Sequence, residues 1–223
     1  MLPLKDNLKS HTRPFVVYAI VSANVLVYLY EISLGAALND FVRQFGVTPY
    51  ALFNPTGIES YLTFITSMFI HAESPMHIIG NMLFLWIFAD NIEDRLGHVK
   101  FVLFYFFCGI AAGLLQSAID PGSKIPMIGA SGAVSGVLGA YILLFPKARV
   151  LALIPLGFFL RVSYLPSFVF LGIWFLYQFL FGVSSLGAQG GVAYFAHIGG
   201  FIAGLLLALP FRKKKKAVDY DIY

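Results

Sequence analysis

The chain has 223 residues, 59% of them hydrophobic and only 12% charged, about half the charge content of an ordinary soluble domain. Its 23 Phe and 12 Tyr need more apolar surroundings than a soluble core of this length offers, so lipid is the expected solvent. Intrinsic disorder and collagen-like repeats are excluded by the same composition, and the single cysteine, Cys108, excludes an internal disulfide. The formal net charge is +4. Its Lys and Arg residues cluster beside apolar runs and not along a solvated face, which argues against nucleic-acid binding and for topology signals.

A hydrocarbon core about 30 Å thick needs about 20 mostly apolar residues per helix. Six windows approach that length: Phe15 to Leu34, Met76 to Ile92, Phe101 to Ala118, Ile125 to Phe145, Tyr164 to Val183 and Gly190 to Phe211. The first follows a polar, basic stretch, as in a signal peptide, but its length and the lack of a small-residue cleavage site mark a retained span. Tyr61 to Ile70 and Val150 to Leu160 are too short to span and suit interfacial or re-entrant pieces. With six spans, both tails share one side, which collects thirteen of the 15 Lys and Arg and leaves Arg43 and Lys124 opposite. That is a strong positive-inside bias. The expected organisation is a cytoplasmic tail over 1–14, a membrane domain over 15–211 and a basic cytoplasmic tail over 212–223. The Arg212 to Lys216 cluster reads as a stop-transfer anchor before it reads as a lipid-binding patch. No internal repeat points to a transporter built from two related halves.

Polar groups that persist inside spans are expensive, so they mark places to look for function. His77 with Asn81 in the second window, Ser131 in the fourth and His197 in the sixth stand out. The run Gly129-Ala130-Ser131-Gly132-Ala133-Val134-Ser135-Gly136 is dense in small residues, and Ala196, Gly200, Gly204 and Ala208 form a matching stripe. Spans four and six can therefore pack at close range. Taken alone, the serine fits a packing helix whose hydroxyl bonds back to the preceding turn. His197, next to the packing stripe, adds a base. Window positions set Ser131, His197 and Asn81 in one layer, about 10 Å below the outer surface. A serine with an imidazole in reach performs acyl transfer. The carboxylate that usually orients the imidazole has no counterpart, since Glu31 and Asp90 lie near window ends. Asn81 and His77, one helical turn apart, can serve a developing oxyanion together with the Ser131 N–H at its helix start. No HExxH occurs, and His71, His77 and His197 without a carboxylate or cysteine make a weak zinc pattern. No aspartate pair shares a mid-span depth.

With these residues set out, GASGAVSGVLGAY around Ser131, AHIGGFIAG around His197 and HIIGN from His77 to Asn81 resemble the rhomboid family of intramembrane serine proteases. The resemblance runs from about Phe64 to Gly204. It implies an all-α membrane protein, a six-helix bundle whose long first external loop, about Gly35 to Pro75, lies partly in the outer leaflet. Ser131 would be the nucleophile and His197 the general base. Asn81, His77 and the Ser131 N–H would bind the oxyanion, with Gly129 leaving room for the substrate backbone. Glu93 and Arg95, in IEDRLG, match a family segment with a structural role at the inner face. The expected partners are transmembrane protein substrates, cut at small residues near helix-weakening ones, and membrane lipids; no cofactor, metal or nucleic acid is implied. Two departures stand out. Leu62 and Thr63 occupy the place of a Trp-Arg pair in the first loop. Ser135 replaces a tyrosine that stacks on the histidine, leaving His197 to be held by another contact such as Tyr194. The Gly-rich loop Ser184 to Gly191 is the candidate mobile cap. A catalytically dead escort of membrane proteins and a proton-relay transporter using His77 and His197 are the rival functions. With no targeting segment or extra domain in view, a bacterial cytoplasmic membrane is the expected location.

Overall fold

Each of the six apolar windows contains a helix in the computed structural model, which describes residues 1–72, 75–157, 159–186 and 192–212. In chain order the elements are β1 (Leu2–Asp6), α1 (Phe15–Ser33), α2 (Leu38–Phe45), α3 (Pro49–Phe53), α4 (Glu59–Thr66), α5 (Pro75–Leu96) and α6 (His98–Ile119). They continue with α7 (Ser131–Leu144), β2 (Arg149–Leu156), β3 (Phe159–Pro166), α8 (Ser167–Ser184) and α9 (Tyr194–Ala208). Four helical segments, α1, α6, α8 and Tyr194–Phe211, are long and apolar enough to cross a bilayer. The other two fall short for physical reasons: α7 is apolar but has 14 residues, and α5 carries Asp90, Glu93, Asp94 and Arg95 in its last two turns.

The small residues of the fourth window are explained by where α7 lies. Every residue from Gly132 to Tyr141 is buried, because α5, α6, α8 and α9 all pack around this helix. It has no lipid-facing side on which Leu or Phe would be favoured. The outer helices are the reverse: Leu26 and Leu29 of α1 and Leu176 and Leu180 of α8 are each more than half exposed, an apolar surface that lipid covers. Inside, Phe88, Phe101, Tyr105, Leu138, Tyr141 and Phe170 fill the space between helices.

The chain is mostly helical, with a small sheet that composition did not signal. β1, β2 and β3 form an antiparallel sheet in that order, with Leu2 opposite Leu153 and Val150 opposite Leu165. Val150 to Leu160 therefore makes most of a hairpin, not a re-entrant piece. Alternation is the reason: Val150 and Ala152 point into the core while their neighbours do not. The 1–14 segment is likewise built in. Asp6 accepts hydrogen bonds from Asn91 Nδ2 at 3.0 Å and from the Tyr141 hydroxyl, and Asn7 Oδ1 accepts the Arg149 N–H at 2.6 Å. Glu93 and Arg95 tie the end of the bundle away from Ser131. The buried Glu93 carboxylate accepts the Val16 and Val17 N–H groups at 3.0 and 2.9 Å, capping α1, and meets His98 Nδ1. Arg95 donates twice to the Phe211 carbonyl.

Candidate active site

The backbone ahead of α7 cannot extend that helix upstream, because Pro126 lacks a donor and Gly129 adopts φ +112°, a conformation that side chains avoid. Cross-links pin it. Met127 exchanges backbone hydrogen bonds with Val47 at 2.7 and 2.9 Å, and the Gly129 N–H donates to the Ser67 carbonyl at 2.9 Å. Ser131 is thus the first residue of its helix and not the seventh of a longer span. His197 is in the first turn of α9. Both residues therefore lie in the first turns of their helices.

The register of the helices that carry these two residues is set by the glycine seam. A β-carbon on Gly200 would collide with the Gly132 carbonyl oxygen, and one on Gly204 with that of Gly136. The constant offset between the pairs makes α7 and α9 parallel and in backbone contact. Stepping back one residue from Gly132 puts Ser131 beside the turn that carries His197, and the Ala196 carbonyl lies 3.9 Å from where a Gly132 β-carbon would be. Among the described residues no hydrogen bond joins Ser131 and His197. Ser131 borders a cavity of about 40 Å³ together with Gly129, Gly132, Ala133 and Ala196, enough for about three waters but not for a peptide.

The second wall comes from α5. His77 is in its first turn, and the ring lies against Gly129, where a β-carbon would sit 2.6 Å from His77 Nε2. Asn81, buried one turn on, donates from Nδ2 to the His77 carbonyl at 2.9 Å, and its amide has a second N–H. His71, weighed from sequence only as a metal ligand, has a structural place here. Its ring is 4.9 Å from that of His77, its Nε2 accepts the Ala130 N–H at 3.5 Å, and its Nδ1 faces the Phe69 carbonyl at 3.3 Å. The proton therefore sits on Nδ1. Its backbone N–H donates to both Glu31 carboxylate oxygens, at 3.0 and 3.1 Å. Burial, reinforced by His77, pushes the His71 imidazole down to about 4, so it is neutral at pH 7. No group of three or more His, Cys, Asp or Glu is arranged to hold a metal among the described residues.

His197 is enclosed by α8 and its own helix. Its Nδ1 is 2.8 Å from Gln178 Oε1, the Trp174 ring lies 6.1 Å away, and Tyr194 meets it edge-on at 6.4 Å. Gln178 and Trp174 were missed in the sequence, although a glutamine inside an apolar span is the kind of signal that singled out Asn81. Leu62 and Thr63 lie on α4, where Leu62 is exposed and the Thr63 hydroxyl donates to the Ser60 carbonyl at 2.7 Å. Most of the candidate cap, 187–191, and the basic run beyond Arg212 lie outside the described residues.

A model of the rhomboid domain matches residues 59–214, well over half the chain, and takes in His71, His77, Asn81, Gly129, Ser131 and His197. The chain belongs to the rhomboid family. It is 30% identical over 206 residues to Rhomboid protein 1, mitochondrial, of Saccharomyces cerevisiae, covering 89% of this chain and 53% of that protein. It is 28% identical over 228 residues to Rhomboid-like protein 11, chloroplastic, of Arabidopsis thaliana, covering 98% and 73%, and 27% identical over 199 residues to Rhomboid protease GluP of Bacillus subtilis, covering 89% and 36%. This rhomboid thus spans about half the length of the yeast relative. Its apolar helices fit an integral membrane protein, but these relatives are organellar as well as bacterial and do not single out the bacterial cytoplasmic membrane.

Proposed function

We propose that this rhomboid is an intramembrane serine endopeptidase that hydrolyses peptide bonds in or near transmembrane segments through a Ser131–His197 dyad. The observation that carries the proposal is the parallel backbone contact of α7 and α9, two helices whose first turns carry Ser131 and His197. A relative named as a protease, GluP, supports the same reading. In this mechanism Ser131 Oγ attacks the scissile carbonyl while His197 Nε2 takes the hydroxyl proton. The oxyanion is received by the Ser131 N–H and by Asn81 and His77, with Gly129 leaving the approach open. His197 then gives its proton to the leaving amine. Water attacks the acyl-enzyme, passing a proton to Nε2, and collapse of the second intermediate returns a proton to Oγ. The hydrogen bond between Ser131 and His197 forms with substrate bound, as is common in sites that tighten in the Michaelis complex. Six spans, with both tails on the inner side and the 35–75 loop partly in the outer leaflet, put this mouth near the external surface, where the cavity supplies water.

Detergent-solubilised protein is the test. Ser131→Ala and His197→Ala should each abolish cleavage of a single-span substrate with small residues at the cut, and a fluorophosphonate should label Ser131 covalently. Undiminished turnover by Ser131→Ala would refute the proposal. An unlabelled, inactive parent would point to the escort, and proton-coupled flux surviving Ser131 replacement to the transporter. Asn81→Ala should leave residual activity, since one oxyanion donor contributes about 3 kcal/mol.

A further inference from the structure

The stacking aromatic that the family resemblance puts at position 135 is replaced by Ser135, whose hydroxyl donates to the Ser131 carbonyl at 2.6 Å. The far nitrogen of His197 faces an amide instead, Gln178 Oε1 at 2.8 Å. Gln178 is buried and is the one amide side chain of α8, a helix otherwise built of apolar, aromatic, Gly and Ser residues. A primary amide in such a helix is costly unless its polar atoms find partners. Resting on the dyad reading above, we propose that Gln178 is a positioning residue for His197. Its carbonyl oxygen accepts the Nδ1 proton and fixes the tautomer in which Nε2 presents a lone pair to Ser131.

The geometry supports more than a packing contact. Trp174 lies one turn before Gln178 on the same face of α8, so one helix supplies both the acceptor and an aromatic wall, and Tyr194 closes the opposite edge. A carbonyl acceptor orients the ring as the carboxylate of a Ser-His-Asp triad does, but it carries no charge to stabilise the imidazolium. An ionised carboxylate at this position would have to be desolvated. Gln178 neither gains nor loses a proton in the cycle: Nε2 takes the serine proton and gives it to the leaving amine, then takes a proton from water and returns it to Oγ, while Nδ1–H stays hydrogen-bonded to the amide oxygen throughout. The groups around His197 are His77 from α5, Gln178 and Trp174 from α8 and, in the proposed dyad, Ser131 from α7. From α6 comes Gln116, which accepts the Ala196 N–H at 3.2 Å, and from its own helix Tyr194.

The experiment uses the full chain in detergent, a single-span substrate and a fluorophosphonate. Gln178→Leu should lower kcat and the labelling rate together by about 10- to 100-fold, with KM unchanged. Gln178→Glu keeps the acceptor. It should retain labelling and move the acidic limb of the kcat–pH profile to higher pH, because the added negative charge favours the imidazolium. The proposal is overturned if Gln178→Leu turns over and labels like the parent, or if Gln178→Glu loses as much as Gln178→Leu. Should Gln178→Leu fail to fold, the Gln178→Glu profile decides, and an unshifted limb overturns the proposal. Ser131→Ala runs alongside: its continued turnover would sink the dyad itself, whereas an inactive Ser131→Ala beside a normal Gln178→Leu removes only the positioning role.

Discussion

At the scale of single residues, Gly129 and His71 set the shape of the site without being reactive. Gly129→Ala combines a disfavoured φ of +112° with a β-carbon 2.6 Å from His77 Nε2. The strain should cost about 1–3 kcal/mol and displace His77, so fluorophosphonate labelling should fall further than the thermal midpoint does. His71 gives a pH prediction. The fold holds its imidazole down to about 4, against 6.5 for a free histidine. Its contribution to stability is therefore complete above that ordinary value and is lost as pH falls towards 4. Thermal midpoints measured from pH 7 down to 4 should decline, and His71→Asn should flatten the decline. Ser131, His197, His77 and Asn81 could be singled out in the sequence because each is a polar group within an apolar run. His71 and Gln178 could not be assigned roles, because those roles depend on partners 59 and 19 residues away.

At the scale of helices and strands, the seam between α7 and α9 admits a direct contrast. Gly204→Ala forces a methyl into the Gly136 carbonyl and should destabilise by about 1–3 kcal/mol. Gly172→Ala on α8, where nothing lies within 4 Å, should be neutral or gain about 0.4–1 kcal/mol; thermal unfolding in detergent compares the two. The stripe of small residues was readable as a close-packing signal, but the register that puts Gly200 against Gly132 and Gly204 against Gly136 was not, because several offsets would satisfy the same spacing. Length and charge placement make Val150 to Leu160 an interfacial piece, but the inward alternation of Val150 and Ala152 decides for a hairpin. Docking of β1 adds another pH effect. Burial, with Asp90 close by and against the Tyr141 hydrogen bond, pushes the Asp6 carboxyl up to about 7 from 3.8. Its stabilising effect is full below about pH 4 and is lost as pH rises through 7. Amide exchange in β1 should quicken between pH 6 and 8, and Asp6→Asn should remove that dependence.

For the whole molecule, the decisive property is orientation. The end where Glu93 caps α1 and Arg95 holds Phe211 is the one that the proposed topology turns inward, and the proposed chemistry lies at the other. Cys108 is 0% exposed, so the natural thiol is silent to surface reagents. A membrane-impermeant maleimide applied from outside should label Lys124→Cys and spare Lys147→Cys, both at exposed positions; the opposite pattern would invert the topology.

The parallel seam has a further bearing on how the protein is made. The hydroxyl is synthesised with α7, but the imidazole and the glycines that lock it in register come with α9, after the hairpin and another helix have emerged. In the proposed dyad, a chain cut short before residue 194 would carry the nucleophile without its base. On that reading such a fragment would be harmless to its neighbours, and cutting would begin only as the final rod inserts beside the central one.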